Sequence, residues 1–305
     1  MYDRILVPLD GSQMAEQVLP YALLLAKGFR SRVALFRVIE PMQSSVADPD
    51  QIRHLDQVVA DLHAKGESYL QGITLSPRDT TEPASLKVVE GDPASQIVGE
   101  ADKDPNTLLA MSTHGRSGVT RWLIGSVTDK VLLATDKPLL LVRAKEEKAP
   151  TLNVNLRTLV VPLDGSPLAE EILPHAAALA KALSLNVVLL NVIPDPKIYY
   201  DYVNYPAPSY EFSAKEMEAP AKDYLQSIAQ KLRLQGTPSV EQKVVHGDPA
   251  SAIVDLTTKM PDCLVAMTTH GRSGLSRWIM GSVTDRVVRH SEKPVLVIRG
   301  VEEKA

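Results

Sequence analysis

Cysteine is nearly absent from this chain of 305 residues: Cys263 stands alone inside the apolar run Cys-Leu-Val-Ala-Met. An intrachain disulfide is excluded, and a thiol among such neighbours is expected to be buried and inert, a reactive thiol being the alternative. Aromatic residues make up only 5%, so the core has to be aliphatic. A basic excess is missing as well: 33 Lys and Arg face 37 Asp and Glu, a net charge of −4, which argues against a broad nucleic-acid footprint. No apolar run approaches the roughly 18 residues that span a bilayer. No charged-then-apolar signal region precedes Arg4-Ile-Leu-Val-Pro8. These absences lead us to expect a soluble, cytoplasmic protein with neither membrane nor nucleic acid as partner. Walker-type Gly-x4-Gly-Lys-Ser/Thr and Gly-x-Gly-x-x-Gly fingerprints are also missing.

What the chain does have is a stretch written twice. Ser112-Thr-His-Gly-Arg-Ser-Gly-Val-Thr-Arg-Trp-Leu-Ile-Gly-Ser-Val-Thr-Asp-Lys-Val131 returns as Thr268 to Val287, with 14 of 20 positions identical. Three further pairs match: Val7-Pro-Leu-Asp-Gly-Ser12 with Val161 to Ser166, Val88-Val-Glu-Gly-Asp-Pro-Ala-Ser95 with Val244 to Ser251, and Lys137-Pro-Leu-Leu-Leu-Val142 with Lys293 to Ile298. The offset is 154 residues at Asp10/Asp164 and 156 at His114/His270, a period that means duplicated domains rather than a solenoid. We expect domains over 1–146 and 156–300, joined by a charged, proline-containing linker over 147–155.

Within the first half, Ile5 to Val7 is a short apolar run, and Ser12 can cap a helix from Ala15 to Lys27, although Pro20 disturbs its first turns. Arg32 to Ile39 is a strand. The spacing of Ile52, Leu55, Val58, Val59, Leu62 and Tyr69 predicts an amphipathic helix. Leu86 to Val89 is a strand, Pro93 opens a further helix, and Leu108 to Met111 is a buried strand. Ser126-Val-Thr-Asp129 resembles a capping box at the start of the last helix, and Leu139 to Val142 closes the unit. Apolar strands alternating with helices predict an open, parallel, doubly wound sheet of five strands in each half. Ligands of such sheets sit beyond the carboxyl ends of the strands, where the strand order reverses.

The repeated stretch carries the chemistry. Gly115 and Gly125 allow close backbone approach to an anion, Ser126 adds a hydroxyl, and Arg116 and Arg121 add charge at the start of a helix. A purely structural cap is the competing reading. For His114 and His270 a structural loop role is favoured over acid–base catalysis, since no partner stands at triad or metal-ligand spacing. Accordingly no catalytic residue and no resident metal site are assigned. Trp122 and Trp278 are expected to pack under the loop. The second half alone carries a tyrosine-rich loop, Tyr199 to Tyr205 with Tyr210, open to three readings: packing on its own domain, a lid, or a partner contact.

Taken together, Val-Pro-Leu-Asp-Gly-Ser, Gly-Asp-Pro and Thr-His-Gly-Arg-x8-Gly-Ser-Val resemble a tandem universal stress protein over nearly the whole chain. The resemblance implies a Rossmann-like fold akin to adenine-nucleotide alpha hydrolases. It implies a nucleotide pattern whose second and third glycines correspond to Gly115 and Gly125, and to Gly271 and Gly281. Its first glycine is replaced by Ser112 and Thr268, which puts a side chain beside the phosphates. By position it implies an adenine pocket of Pro8, Leu9, Asp10, Val38 and Met111, and of Pro162, Leu163, Asp164, Val192 and Met267. The phosphate turn would add Ser112, His114, Gly115, Arg116, Gly125, Ser126 and Val127, and in the second half Thr268, His270, Gly271, Arg272, Gly281, Ser282 and Val283. Asp10 and Asp164 would meet a ribose or a metal, or else bond their own turn. The implied ligand is ATP, with ADP or AMP as alternatives and Mg2+ accompanying it. The resemblance also implies pairing of the two halves through Leu139–Val142 and Val295–Ile298, or a homodimer. A nucleotide-free dimerisation scaffold and a weak ATPase are the alternative functions.

Overall fold

The computed structural model describes residues 1–40, 49–73, 82–113, 124–145, 154–194, 214–237, 239–270 and 280–300. The tyrosine-rich loop, His114 to Arg116, Gly271, Arg272, Arg121 and both tryptophans lie outside the described residues. The chain divides into two units, Met1–Val154 and Asn155–Ala305.

In the first unit the elements are β1 (Arg4–Pro8), α1 (Gln13–Glu16), α2 (Leu19–Phe29), β2 (Arg32–Ile39), α3 (Pro49–Gly72), β3 (Ser85–Glu90), α4 (Pro93–Ala101), β4 (Thr107–Ser112), α5 (Ser126–Ala134) and β5 (Leu139–Val142). Its strands lie in the order β3-β2-β1-β4-β5, and the β1–β2, β1–β4, β2–β3 and β4–β5 pairings are all parallel. The chain builds outward from β1 through β2 to β3, then returns to the other side of β1. The reversal therefore falls between β1 and β4. All six residues of β4 and all four of β5 are buried, as strands covered on both faces must be.

The second unit repeats this with β6 (Thr158–Pro162), α6 (Pro167–Glu170), α7 (Leu173–Leu183), β7 (Asn186–Ile193), α8 (Ala214–Leu234), β8 (Ser239–His246), α9 (Pro249–Thr258), β9 (Cys263–Thr268), α10 (Ser282–His290) and β10 (Val295–Ile298). The order β8-β7-β6-β9-β10 is again parallel throughout. The core is aliphatic, and Cys263 is buried in it, which pushes its thiol pKa up. No described helix is long and apolar enough to cross a membrane.

Two helix starts differ from the sequence expectation. The single helix from Ala15 to Lys27 is two helices. Ser12 Oγ accepts from the Ala15 N–H (3.1 Å) and caps α1, whose C-cap is Gln17; α2 then restarts with Pro20 in its first turn. A continuous helix would need an N–H that Pro20 lacks and would drive its ring into the preceding turn, so the break falls just before it. Pro174 does the same in α7. The capping box at Ser126 does not form either: Gly125 is the N-cap, without a side-chain cap bond, and Ser126 is already helical.

In contrast, Asp92 and Asp248 do cap α4 and α9. Each accepts from the backbone N–H three residues on, at 3.0 and 2.9 Å. The bond from the Ser95 N–H, with that of the Ser95 hydroxyl, holds the exposed Asp92 carboxyl below its usual pKa.

Candidate functional site

The reversal between β1 and β4 opens a cleft of about 690 Å³ in the first unit. Pro8 ends β1, and the Leu9 N–H continues onto the Phe36 carbonyl of β2 (2.8 Å), so the backbone stays on the sheet up to Asp10. Asp10 Oδ1 then accepts from both the backbone N–H (2.9 Å) and the hydroxyl (2.6 Å) of Ser12. The same turn recurs at Asp164 and Ser166, at 2.9 and 2.6 Å. Both aspartates thus bond their own turns, the structural alternative for these residues, while Asp10 also lines the cleft.

The other wall is the start of α5. The Gly125 N–H donates to the Thr113 carbonyl (2.6 Å), and Thr128 Oγ1 donates to the Ser112 carbonyl (3.0 Å). These bonds pin the first helical turn onto the end of β4. The N-cap, Gly125, has no side chain with which to cap the first turn, and Gly125, Ser126 and Val127 line the cleft. Such a turn, with the helix dipole behind it, attracts an anion. In the second unit the corresponding bonds are Gly281 N–H to Thr269 O (2.8 Å) and Thr284 Oγ1 to Thr268 O (2.8 Å). Gly281 is required there: a Cβ would lie 2.9 Å from the Thr269 carbonyl oxygen.

Of the expected first-unit residues, Pro8, Leu9, Asp10, Val38, Met111, Ser112, Gly125, Ser126 and Val127 all line this one cleft. Arg37, Glu40, Leu62, Lys65, Pro93 and Ile97 line it as well and were not foreseen. Arg37 precedes the foreseen Val38 on β2 and Glu40 follows the end of that strand, so the carboxyl end of β2 was the signal available. Lys65 and Ile97 come from helices whose rotation about the sheet no local motif records.

In the second unit Pro162 ends β6, Leu163 and Asp164 follow it, and Val192 lies near the end of β7. Met267 and Thr268 end β9, and Gly281, Ser282 and Val283 open α10. Two polar side chains there are turned inward. Thr268 Oγ1 donates to the His270 carbonyl (2.6 Å), and Asn191 Nδ2 donates to the Leu163 carbonyl (2.8 Å). The His270 ring reaches Thr269 Oγ1 through Nδ1 at 3.1 Å, in keeping with a loop-holding role. Among the described residues, no group of three or more His, Cys, Asp or Glu is arranged to hold a metal.

Fold and cleft together define a tandem, doubly wound α/β protein whose first unit opens a cleft at the strand-order reversal. The sequence profile of the Universal stress protein family matches residues 1–143 and 155–299, and the chain belongs to that family. It is 28% identical over 144 residues to Universal stress protein MJ0531 of Methanocaldococcus jannaschii, covering 47% of this chain and 82% of that protein. It is 28% identical over 197 residues to Universal stress protein Rv2005c of Mycobacterium tuberculosis, covering 63% of this chain and 61% of that one. Among solved structures, a universal stress protein from Archaeoglobus fulgidus superposes with a TM-score of 0.68 at 19% identity, over 99% of this chain and 100% of the other. A putative universal stress protein from Pseudomonas aeruginosa gives 0.64 at 15% identity, over 98% and 93%. At these identities the two structures establish the fold alone.

Proposed function

We propose that the protein binds adenine nucleotides, ATP or its di- and monophosphate relatives, and serves as a ligand-responsive protein of the stress response. The observation that carries this reading is the first-unit cleft, in which an uncapped helix start faces a carboxylate turn across an apolar floor. A mononucleotide has three matching parts. Its phosphates suit the amides of Ser126 and Val127, where backbone N–H groups and the helix dipole converge. Its ribose hydroxyls suit the Asp10 carboxylate. Its base suits the apolar surface of Val38, Ile97 and Met111. Mg2+ would arrive with the phosphates, and Asp10 is the carboxylate that the β1 turn would offer it. The second unit repeats the helix start and the aspartate turn, which supports one site per unit.

Ser112 and Thr268 stand where a glycine would leave the turn bare. For the second unit, the bond from Thr268 to the His270 carbonyl favours a different reading, in which that turn is closed by its own side chain and the unit serves as scaffold. Calorimetric titration of ATP, ADP and AMP with Mg2+ separates the cases. Two sites mean both units bind, and one site means the second is scaffold. No heat at millimolar nucleotide, together with no adenine absorbance released on denaturing freshly purified protein, removes the proposal.

A further inference from the structure

The two faces of the first-unit sheet are told apart by the side chains of β2. Arg37 turns toward α3: its guanidinium carbon lies 4.9 Å from the centre of the Tyr69 ring, and a Cβ on Gly66 would come within 3.4 Å of Arg37 Cδ. Successive strand residues alternate, so Val38 turns to the opposite face. The chain passes from β3 back to β4 in the opposite direction to the connections that carry α2 and α3. Right-handed crossovers therefore place α4 and α5 on the Val38 face. Ile97 of α4, the start of α5 and Val38 thus share one side of the cleft.

The alternation carries on to Glu40, two residues after Val38. The Ile39 carbonyl still accepts from the Gly91 N–H (3.1 Å), so the backbone stays on the sheet to the end of β2, and Glu40 lines the cleft directly beyond it. Glu40 is exposed, and among the described residues none donates to its carboxylate. In the second unit the Gly247 N–H donates to the Ile193 carbonyl in the same way (3.0 Å), but the next residue is Pro194, whose side chain has neither acceptor nor charge.

The strand order β4-β1-β2 sets where each part of the proposed mononucleotide lies. The start of α5 takes the phosphates, Asp10 the ribose and Val38 the base. Neighbouring strands stand about 4.8 Å apart, so the three parts cross them in turn. The purine edge farthest from the sugar then falls beyond Val38, where Glu40 stands. An ionised carboxylate accepts hydrogen bonds and donates none, so it selects a base edge that carries an N–H. We infer that Glu40 is a specificity-determining residue whose carboxylate accepts a hydrogen bond from the 6-amino group of a purine, a selection that Pro194 cannot make in the second unit. This rests on the proposed nucleotide binding and adds to it the group on the base by which the first unit recognises its ligand.

The test uses the full chain with Mg2+ at about 0.15 M salt. Hydrogen exchange read by mass spectrometry reports each unit from its own peptides. The probes are ATP, purine riboside 5′-triphosphate, which lacks the amine, and GTP, which has a carbonyl oxygen in its place. ATP is expected to protect the first unit at roughly fivefold lower concentration than purine riboside triphosphate, the gain from one charge-assisted bond at an exposed carboxylate. GTP should be weaker than ATP as well, because two acceptors would meet. Glu40→Ala should bring the ratio of ATP to purine riboside triphosphate to about one. Glu40→Gln, whose amide accepts or donates, should narrow the gap between ATP and GTP, an effect that a merely structural role would not produce. A preference for ATP that persists in Glu40→Ala overturns the role of Glu40 and gives the reading of the amine to the backbone. Equal protection of the unaltered first unit by ATP and purine riboside triphosphate overturns it too, as does the same preference in the second unit. No protection by any of the three nucleotides overturns nucleotide binding as well.

Discussion

Glu100 offers the sharpest stability test, because it is a nearly buried carboxylate with three cations and no counterpart in the second unit. Its side chain is 8% exposed and accepts from Arg4 Nη2 at 2.7 Å, Lys87 Nζ at 2.6 Å and Lys103 Nζ at 2.9 Å. Burial by itself would raise its pKa, but the bonds to Lys103, Lys87 and Arg4 outweigh burial and bring the pKa from 4.5 down to about 2. A depression of that size corresponds to about 3 kcal/mol favouring the folded state when the carboxylate is ionised. Lys87 and Lys103 are 45% and 59% exposed, so solvent screens part of this and about 2 kcal/mol is the working figure.

Because the folded pKa lies below the unfolded one, this contribution is fully present above about pH 4.5 and fades as the pH falls toward 2. Glu100→Gln should therefore destabilise the first unit by about 2 kcal/mol at pH 7, in part because Arg4, itself only 15% exposed, loses its counter-charge. The deficit should shrink toward pH 3. Urea denaturation in a Trp278→Phe background, where Trp122 of the first half is the sole tryptophan reporter, measures it. A deficit unchanged between pH 7 and pH 3, or one under about 0.5 kcal/mol at pH 7, would refute the electrostatic account.

Three further outcomes are expected. Gly281→Ala should destabilise the second unit by about 1–3 kcal/mol, because the new methyl meets a backbone carbonyl that cannot move freely, and should weaken any nucleotide binding there; denaturation with Trp278 as reporter and calorimetry measure the two effects. Thr284→Val should cost about 1–3 kcal/mol by leaving the buried Thr268 carbonyl without the Thr284 hydroxyl, whereas Thr284→Ser should recover most of it in the same assay. Cys263, buried and with its thiol pKa raised, should react with an aromatic disulfide only as fast as the second unit opens; immediate labelling of native protein at pH 8 would contradict its position at the start of β9.

The elements readable in advance were those dictated by the chain's own chemistry. Apolar runs such as Leu108 to Met111 read as strands covered on both sides, and the Gly-Asp-Pro signal marked the start of α4 with Pro93 near its first position, though not Asp92 as its cap. The matching repeats made the second unit legible from the first. What escaped was decided by packing. The division of the first helix follows from Pro20, whose presence was visible but whose consequence depended on where α1 had to end to keep Ala15 buried. The Ser126 capping box fails because the helix starts one residue earlier: the Gly125 N–H is tied to the Thr113 carbonyl, Gly125 becomes the N-cap, and Ser126 is already in the first turn. Lys65 enters the cleft because α3 packs on β2 and β3, a long-range fact that a helical pattern between Ile52 and Tyr69 does not contain.

Comparison of the two units separates what the fold needs from what a ligand would need. The backbone devices are the same in both: an aspartate that bonds the serine two residues on, a glycine at the helix start, and a threonine hooked onto the preceding strand, with lengths that agree within 0.2 Å. The charged side chains are not. Arg4 and Glu100 become Thr158 and Leu256, and Arg37 becomes Asn191. A bonded turn fixes geometry cheaply and tolerates no substitution without losing that geometry, whereas a surface or cleft charge can change sign or vanish while the sheet stays intact. The turn at the helix start is thus a property of the fold held in duplicate. Near the end of the second strand the side chain is not fixed by the fold in this way, and there the two units differ, with Arg37 in one and Asn191 in the other.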